Sequence, residues 1–375
     1  MNAPVVKGYC PGALRPMMSG DGLVVRVRPF GGRLRRAQAD GIATLAAAHG
    51  NGRIDLSSRA NVQIRGVREE TLAPLIEGLR GLGLLDDSAE AEGRRNILMT
   101  PFWLPGDETE TLMAELTDAL VAAKTLDLPV KFGFAVDTGR APVLQNASAD
   151  IRLERDAAGG LILVAEGHAL GKPVLSETSV AEALALAQWF LQHRGAHKRM
   201  AQLLAVGKGL PDGFIVPRQT QAYGPVPGPT PQGIMVGLAF GQMSVETLAG
   251  IAKHGGLRMT PWRMLLVENA RDVPGVDGLI TDPQDPLLRV VACTGAPDCT
   301  QGFAETRPLA RTLAPHLAAD QLLHVSGCAK GCAHPNAAAR TVTATERGFA
   351  LVRDGKAGDT PDLLLSSSQD IIKAL

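Results

Sequence analysis

The sequence repeats one order of predicted elements in its two halves. In the first half, residues 22–32 have the pattern of a strand and a turn, and a helical stretch then ends at His49; in the second half, residues 233–241 precede a helical stretch that ends at His254. A repeat constrains the fold more than any single motif does, because both copies must adopt the same architecture. We interpret the pattern as an internal duplication.

Each copy continues with a second unit of strand, helix, strand and hairpin. The corresponding segments are Asn96–Thr100 and Arg289–Cys293, Leu128–Phe132 and Leu323–Gly327, and Asp150–Glu166 and Arg340–Arg353. The helix of the first unit is predicted over Asp107–Lys124, whose acidic first turn and terminal lysine suit the helix dipole. Strands and helices interleaved in this way predict a mixed α+β architecture.

A segment without a counterpart joins the two copies. Apolar residues at helical spacing predict a helix over Ser179–Leu204, and Ser179 and Glu182 have the spacing of a capping box. Residues 205–233 contain six Gly and six Pro. This composition predicts an irregular loop that crosses between the halves.

Charge and hydropathy argue against several classes of protein. The 38 Lys and Arg residues balance 38 Asp and Glu residues, so the sustained positive field of a nucleic-acid or membrane-surface binder is absent. The longest nearly uncharged stretches, such as Gly233–Met243, are far shorter than the roughly 20 apolar residues that a membrane helix needs. The first residues lack the pattern of a signal peptide. We therefore expect a cytoplasmic protein without nucleic-acid or membrane partners.

Two pairs of cysteines give the strongest chemical signal. Cys293 and Cys299 are separated by five residues, Cys328 and Cys332 by three, and both pairs lie in glycine-containing turns. Glycine lets the backbone approach closely and offers N–H groups to cluster sulfurs, so we predict one iron–sulfur cluster with these four ligands. A zinc site, whose pairs are usually two to four residues apart, and unliganded thiols are the alternatives. Cys10 is left over, and we interpret it as a structural thiol near a turn.

Basic and polar side chains alternate along two predicted neighbouring strands. Period-two geometry puts them on one face, opposite apolar residues such as Val25 and Val62. The members of this face are Arg26, Arg28, Arg59, Asn61, Gln63 and Arg65, and corresponding places in the next unit hold Arg94, Arg95 and Lys131. Rigid guanidinium groups on adjacent strands suit a ligand with several carboxylates, while a solvated sheet face has the same pattern. On the first interpretation the ligand is a polyanion.

Taken together, these residues resemble the nitrite/sulfite reductase superfamily over nearly the whole chain. The resemblance implies an α+β, internally duplicated nitrite/sulfite reductase-like fold, with two ferredoxin-like half-domains and two α/β units. The implied domains are 14–75, first ferredoxin-like half-domain; 94–172, first α/β unit; 173–230, helical linker and Gly/Pro-rich crossover; 231–280, second half-domain; and 285–375, second α/β unit with the cluster.

The same resemblance implies roles for individual residues. The implied ligands of a [4Fe–4S] cluster are Cys293, Cys299, Cys328 and Cys332, the last at the position that bridges to sirohaem iron in the reductases. Tetrapyrrole or anion contacts are implied for Arg26, Arg59, Gln63, Arg95 and Lys131, and our candidate substrate-binding set adds Arg28 and Arg65 from the same face. Gly133 stands where the reductases have a second lysine, and the loss of that cation argues against reduction of sulfite or nitrite.

Within the superfamily, the sequence resembles the precorrin-3B synthase family in particular. The runs that carry this resemblance are Cys10–Gly12, Gly20–Arg26, His49–Gly52, Ser58–Gly66, Cys293–Pro297 and His324–Pro335. The resemblance implies an O2-dependent monooxygenase of cobalamin biosynthesis that hydroxylates precorrin-3A at C20 and forms a γ-lactone. It also implies a mononuclear non-haem iron at the O2 site, whose ligands are not assigned; two His and a carboxylate would suit, and His324 or His334 are candidates.

Electron supply and two competing interpretations complete the set of expectations. The chain lacks a phosphate-cradling motif and a convincing Gly-x-Gly-x-x-Gly after a strand, so we expect NADH to deliver electrons through a separate reductase. One alternative is a sirohaem-dependent sulfite or nitrite reductase, which would hold an intensely coloured tetrapyrrole. The other is a zinc-bearing, non-catalytic binding protein, which would be colourless.

Overall fold

The structure is a computed structural model, and it describes residues 12–375. Cys10 and the start of the run Cys10–Gly12 lie outside the described residues. The first repeat has the elements β1 (Met17–Ser19), β2 (Gly22–Val27), β3 (Arg33–Leu34), α1 (Arg36–His49), β4 (Arg53–Leu56), β5 (Val62–Val67) and α2 (Glu69–Gly81). Val25 and Ile64 are fully buried while Arg26 and Gln63 are partly exposed, as the alternation of the sequence predicts.

The first α/β unit and the linker follow. Their elements are α3 (Ala89–Arg94), β6 (Ile97–Met99), α4 (Glu108–Ala122), β7 (Phe134–Asp137), β8 (Ile151–Arg155), β9 (Leu161–Ala165), β10 (Leu170–Pro173), α5 (Ser176–His193), α6 (Met200–Ala205) and β11 (Val216–Pro217). Helix α4 begins as predicted, because the Asp107 side chain accepts a hydrogen bond of 2.9 Å from the Glu110 N–H. Pairing is parallel from β6 through β8 and antiparallel from β8 through β11.

The second repeat returns to the same order. Its half-domain consists of β12 (Gly228–Thr230), β13 (Gly233–Leu238), β14 (Gln242–Ser244), α7 (Val245–Ala252), β15 (Leu257–Met259), β16 (Met264–Glu268) and β17 (Leu279–Ile280). Its α/β unit consists of β18 (Val290–Ala292), α8 (Thr306–Leu313), β19 (Leu323–Ser326), β20 (Ala338–Thr345), β21 (Gly348–Gly355), β22 (Leu363–Leu365) and α9 (Ser368–Ala374). Pairing is again parallel from β18 through β20 and antiparallel beyond it.

The two half-domains exchange one strand each. Strand β14 of the second half pairs with β4, and β3 of the first half pairs with β15, so the sheets run β1-β2-β5-β4-β14 and β12-β13-β16-β15-β3. Apolar side chains of α1 and α7, Ile42 and Leu248 among them, lie in one continuous core with residues of both sheets. This reciprocal arrangement confirms the duplication and joins the two halves through a single hydrophobic core.

Three local predictions are wrong. The strand expected over Leu128–Phe132 begins instead at Phe134. Pro129 opens a turn, which is closed by a hydrogen bond of 2.7 Å from the Phe132 N–H to the Pro129 carbonyl. Helix α5 begins at Ser176, and the Ser179 hydroxyl donates back to the Ser176 carbonyl rather than capping the helix. The predicted helix to Leu204 is interrupted after His193, where Gly195 adopts a φ of 51°.

No helix within residues 12–375 combines the length and the apolar character that crossing a membrane requires.

Candidate functional site

The four cysteines lie in two loops that follow neighbouring parallel strands. Cys293 comes directly after β18, and Cys328 comes two residues after β19. Because the carboxyl ends of parallel strands meet at one sheet edge, the fold brings the two loops together. The Gly327 N–H donates to the Cys293 Sγ at 3.1 Å, and the Cys293 N–H donates to the Val325 carbonyl at 3.3 Å. A backbone N–H directed at a cysteine sulfur is the contact that stabilises a cluster thiolate.

Glycine is required where the two loops touch. A Cβ added at Gly327 would lie 3.2 Å from the Gly295 Cα and 3.3 Å from the Gly302 Cα. Gly295 has a φ of 69°, a conformation that favours glycine, and its carbonyl accepts a hydrogen bond of 2.7 Å from the Cys299 N–H. The cysteine-bearing backbones therefore approach as closely as the sequence pattern indicates.

The four cysteines offer the thiolate donor set that an iron–sulfur cluster requires. All four cysteines are free thiols. Cys332 is exposed as a residue, but desolvation of its thiol raises the pKa of that thiol and is the largest influence on it. The other three thiols also raise this pKa. Within residues 12–375, no three His, Cys, Asp or Glu side chains are arranged to hold one metal ion. A cluster places its own iron and sulfide between its ligands, so its thiolates stand further apart than those around one zinc.

The first half-domain holds the cysteine loop in place. Asp298, the neighbour of Cys299, accepts hydrogen bonds at its carbonyl from the Gly20 N–H at 3.1 Å and the Ser19 hydroxyl at 3.2 Å. Its carboxylate forms an ion pair with Arg53. The sequence analysis missed this clamp, because no sequence pattern indicates that the β1–β2 turn and Asp298 lie together.

Two of the predicted polyanion contacts are adjacent on the open face of the first sheet. Arg26 and Gln63 are directly opposite each other on β2 and β5, and the Arg26 guanidinium donates to the Gln63 Oε1 at 2.7 and 3.1 Å. Both side chains are partly exposed. This pair presents a fixed guanidinium at the sheet surface.

Arg59 lies in a turn before β5 rather than on the strand, so its predicted place in the period-two stripe is wrong. Ala60 adopts a φ of 54°, which ends the alternation on that side of Asn61. From the turn, the Arg59 guanidinium donates to the Lys131 carbonyl at 2.8 Å and to the Ser148 hydroxyl at 3.2 Å. The turn thus brings Arg59 and Lys131, both candidate contacts, to the same place.

The remaining candidate arginines are buried and bonded within the protein. Arg65 forms an ion pair of 2.6 Å with Asp21, and Arg95 forms one of 2.7 Å with Asp86. Arg28 donates to the Glu92 carbonyl at 2.7 Å, and burial lowers its pKa to about 10. These partners fix the arginines in the sheet; contact between them and a ligand stays a prediction.

His324 on β19 is one of the two candidate ligands for the implied non-haem iron. It is fully buried, and neither ring nitrogen has a hydrogen-bond partner. Burial, together with smaller contributions from the nearby His334 and Arg263, lowers its pKa to about 4. The imidazole is therefore neutral at physiological pH.

Comparisons with known proteins agree with this architecture. Residues 15–82 match the family described as "Nitrite/Sulfite reductase ferredoxin-like half domain". The first repeat is therefore similar to that half domain. The Mycobacterium tuberculosis NirA protein has a similar structure, with a TM-score of 0.65 at 20% identity over 94% of this chain and 79% of that one. The duplicated α+β fold predicted from the sequence is confirmed.

Two curated relatives extend the similarity to most of the chain. A precorrin-3B synthase of Sinorhizobium sp is 28% identical over 96% of this chain and 85% of its own length. The ferredoxin–nitrite reductase of Synechococcus elongatus is 26% identical over 86% of this chain and 76% of its own length. The resemblance to precorrin-3B synthases and to the nitrite/sulfite reductases is therefore confirmed.

Proposed function

We propose that the protein is a precorrin-3B synthase, an O2-dependent monooxygenase of cobalamin biosynthesis. It hydroxylates precorrin-3A at C20, and the ring A acetate closes on C1 as a γ-lactone. The observation that carries the proposal is the meeting of four free thiols on two glycine-rich loops, in a chain similar to a precorrin-3B synthase over 96% of its length.

Substrate binding is assigned to the basic face of the first half-domain. Precorrin-3A is a polycarboxylate, and guanidinium groups bind carboxylates in a fixed two-point geometry. Gln63 orients the Arg26 guanidinium, and Ser148 orients that of Arg59. Lys131 is exposed beside them and adds a third cation. These groups bind and orient the tetrapyrrole while the interior ion pairs hold the strands beneath it.

The thiolates of Cys293, Cys299, Cys328 and Cys332 would hold a [4Fe–4S] cluster, with the Gly327 N–H bonded to the first sulfur. When bound, such a cluster supplies single electrons, which triplet O2 needs in order to react with a closed-shell substrate. One oxygen atom enters the substrate, and the other leaves as water with two electrons and two protons. The electrons come from NADH, through a separate reductase. The mononuclear non-haem iron that the resemblance implies stays a prediction without assigned ligands.

Gly133 argues against sulfite or nitrite as the substrate. A Cβ at this position would lie 2.7 Å from the Asn96 Nδ2 and 3.1 Å from the Asn96 carbonyl oxygen. Asn96 is buried, and its amide donates to the Phe132 carbonyl at 2.7 Å. The second lysine of the reductases therefore has no room unless this hydrogen bond breaks. The missing cation is one that developing oxyanions would require.

The proposal is tested with anaerobically purified protein. We expect about four iron and four sulfide per chain, no sirohaem, and conversion of precorrin-3A to a product that gains one oxygen atom from labelled O2. A tightly bound sirohaem with nitrite or sulfite reduction would instead establish the reductase, and zinc without sulfide would establish the binding protein.

The basic face is tested by binding of precorrin-3A under anaerobic conditions. Arg59→Ala should weaken binding by about 1–3 kcal/mol, the range for a buried charged hydrogen bond. Arg68→Ala is the matched control, since Arg68 is highly exposed and pairs only at the surface with Glu70. Equal affinities of the two variants would mean that the Arg59 turn does not touch the substrate.

A further inference from the structure

His324 is anomalous because a fully buried imidazole has no hydrogen-bond partner at either nitrogen. Leaving a buried polar group without a partner is costly in free energy, so native proteins rarely do it without a reason. The charged neighbours that act on this ring are Arg263 and the titratable His334, and neither is a carboxylate. An imidazole has at least one N–H to donate, whether it is neutral or protonated.

The ring lies beneath the second cysteine loop. A Cβ added at Gly331, the residue before Cys332, would lie 3.6 Å from the His324 Cε1, the carbon between the two ring nitrogens. Gly331 has a φ of 61°, which favours glycine and lets the loop lie directly on the ring. The His334 ring, 5.7 Å away between centroids, packs edge-to-face against it. The edge of the imidazole with its nitrogens therefore lies next to the backbone that carries Cys332.

We propose that His324 donates a hydrogen bond to a sulfur of the cluster held by Cys332 and its partners, and thereby raises the reduction potential of that cluster. The proposal rests on the cluster assigned under the proposed function. A donor stabilises the reduced form more than the oxidised form, because the reduced cluster carries one more negative charge. His324 is thus a positioning and tuning residue for electron supply, without contact to the substrate.

The test is a redox titration of the intact protein, followed by electron paramagnetic resonance of the reduced cluster. His324→Leu removes the donor and should lower the reduced-to-oxidised ratio at a fixed potential about tenfold, which is about 59 mV for one electron. His324→Gln, which can donate, should recover part of the shift. His316→Gln, at an exposed position, is the control and should match the wild type.

If the His324→Leu variant does not bind the cluster, a second measurement tests the proposed hydrogen bond. Wild-type protein labelled with 15N histidine should show a weak nitrogen coupling in the reduced cluster signal, which persists in His334→Gln. A coupling of the strength found for a directly bound nitrogen, or none at all, overturns the proposal. Equal potentials in His324→Leu and the wild type, each with full iron and sulfide, also overturn it. Wild-type protein without iron and sulfide would instead overturn the proposed function.

Discussion

The two α/β units share the order and direction of their strands, but they bury different kinds of polar side chain at equivalent positions. In the first unit, Arg152 and Glu154 of β8 are almost fully buried. Ile151 of β8 pairs with the first residue of β7, and Arg340 of β20 pairs with the first residue of β19, so these two residues are equivalent. Counting on from them, Thr341 and Thr343 are the counterparts of Arg152 and Glu154. Each threonine hydroxyl donates to one carbonyl, at 2.7 and 3.1 Å. One copy buries charges, and the other buries neutral hydroxyls.

The difference explains how each unit orders the loop between its second and third strands. In the first unit, the Arg152 guanidinium donates to the carbonyls of Leu144 and Ala147, and it is neutralised by Glu166 at 2.6 Å. The equivalent loop of the second unit carries Cys328 and Cys332, and Thr341 makes no such bonds to it. We infer that a buried charge of the third strand fixes the loop in the first copy, whereas the loop with the two cysteines is fixed from outside its third strand. There the Ser326 hydroxyl donates to the Cys328 carbonyl at 2.7 Å, and the Arg263 guanidinium donates to the Ala333 carbonyl at 3.0 Å. The proposed function assigns the chemistry to the second unit.

The largest expected effect comes from removing a cluster ligand. Cys293→Ser should sharply lower the iron and sulfide content, because it removes one of the four thiolates that would hold the cluster. Thr100→Ser is the matched control, since Thr100 follows β6 as Cys293 follows β18. Iron and sulfide analysis checks both variants. Full cluster content in Cys293→Ser would contradict the four-ligand assignment and remove the functional contrast between the units.

The next effect is on stability and should be larger in the first unit than in the second. Arg152→Met leaves Glu166 and nearby carbonyls without their partner, so we expect a loss of about 3–5 kcal/mol in the free energy of unfolding. Thr341→Val at the equivalent position breaks one hydrogen bond and should cost about 1–3 kcal/mol. Urea unfolding of both variants measures the difference. Equal losses would mean that the buried charges of the first unit do not hold its loop.

Much of the fold could be predicted from the sequence, because the duplication carries two independent copies of each signal. Strands β8 and β9 and strands β20 and β21 were both predicted as hairpins from their glycine turns, and both exist. The strand near Lys131 was misplaced, because an apolar run around Val130 has the pattern of a strand whereas Pro129 forms a turn there. A turn closed by one hydrogen bond leaves little trace in the apolar pattern.

The site was predictable only where a motif or a period marks it. The cysteine spacing predicted loops that the structure brings together. In contrast, the partners of Arg65 and Arg95 could not be foreseen, since Asp21 lies in a hairpin turn and Asp86 in an irregular segment. The isolation of His324 depends on what surrounds it in three dimensions, and no sequence pattern contains that information.

The smallest expected effect is a pH dependence that only the first unit should show. Asp137 at the end of β7 is buried, and desolvation, with a further contribution from Glu154, raises its pKa to about 6. The N–H groups of Val143 and Leu144 each donate to its Oδ2 at 2.7 Å, while its Oδ1 has no partner. At pH values between the unfolded pKa of 3.8 and the folded pKa of about 6, Asp137 is protonated in the native state and ionised in the unfolded state. Stability from this group therefore falls as pH rises from 4 to 7.

Asp137→Asn keeps an oxygen for the two N–H groups and removes the charge. Relative to the wild type, the variant should gain stability between pH 4 and pH 7, by at most about 3 kcal/mol if each pKa unit is worth 1.36 kcal/mol. Ser326 is the counterpart of Asp137 on β19, so Ser326→Ala should leave the pH slope of the wild type unchanged. Urea unfolding at both pH values gives the two differences. If Asp137→Asn shows the wild-type slope, the carboxylate is solvated in the native state, and the buried charge of the first unit is smaller than its geometry implies.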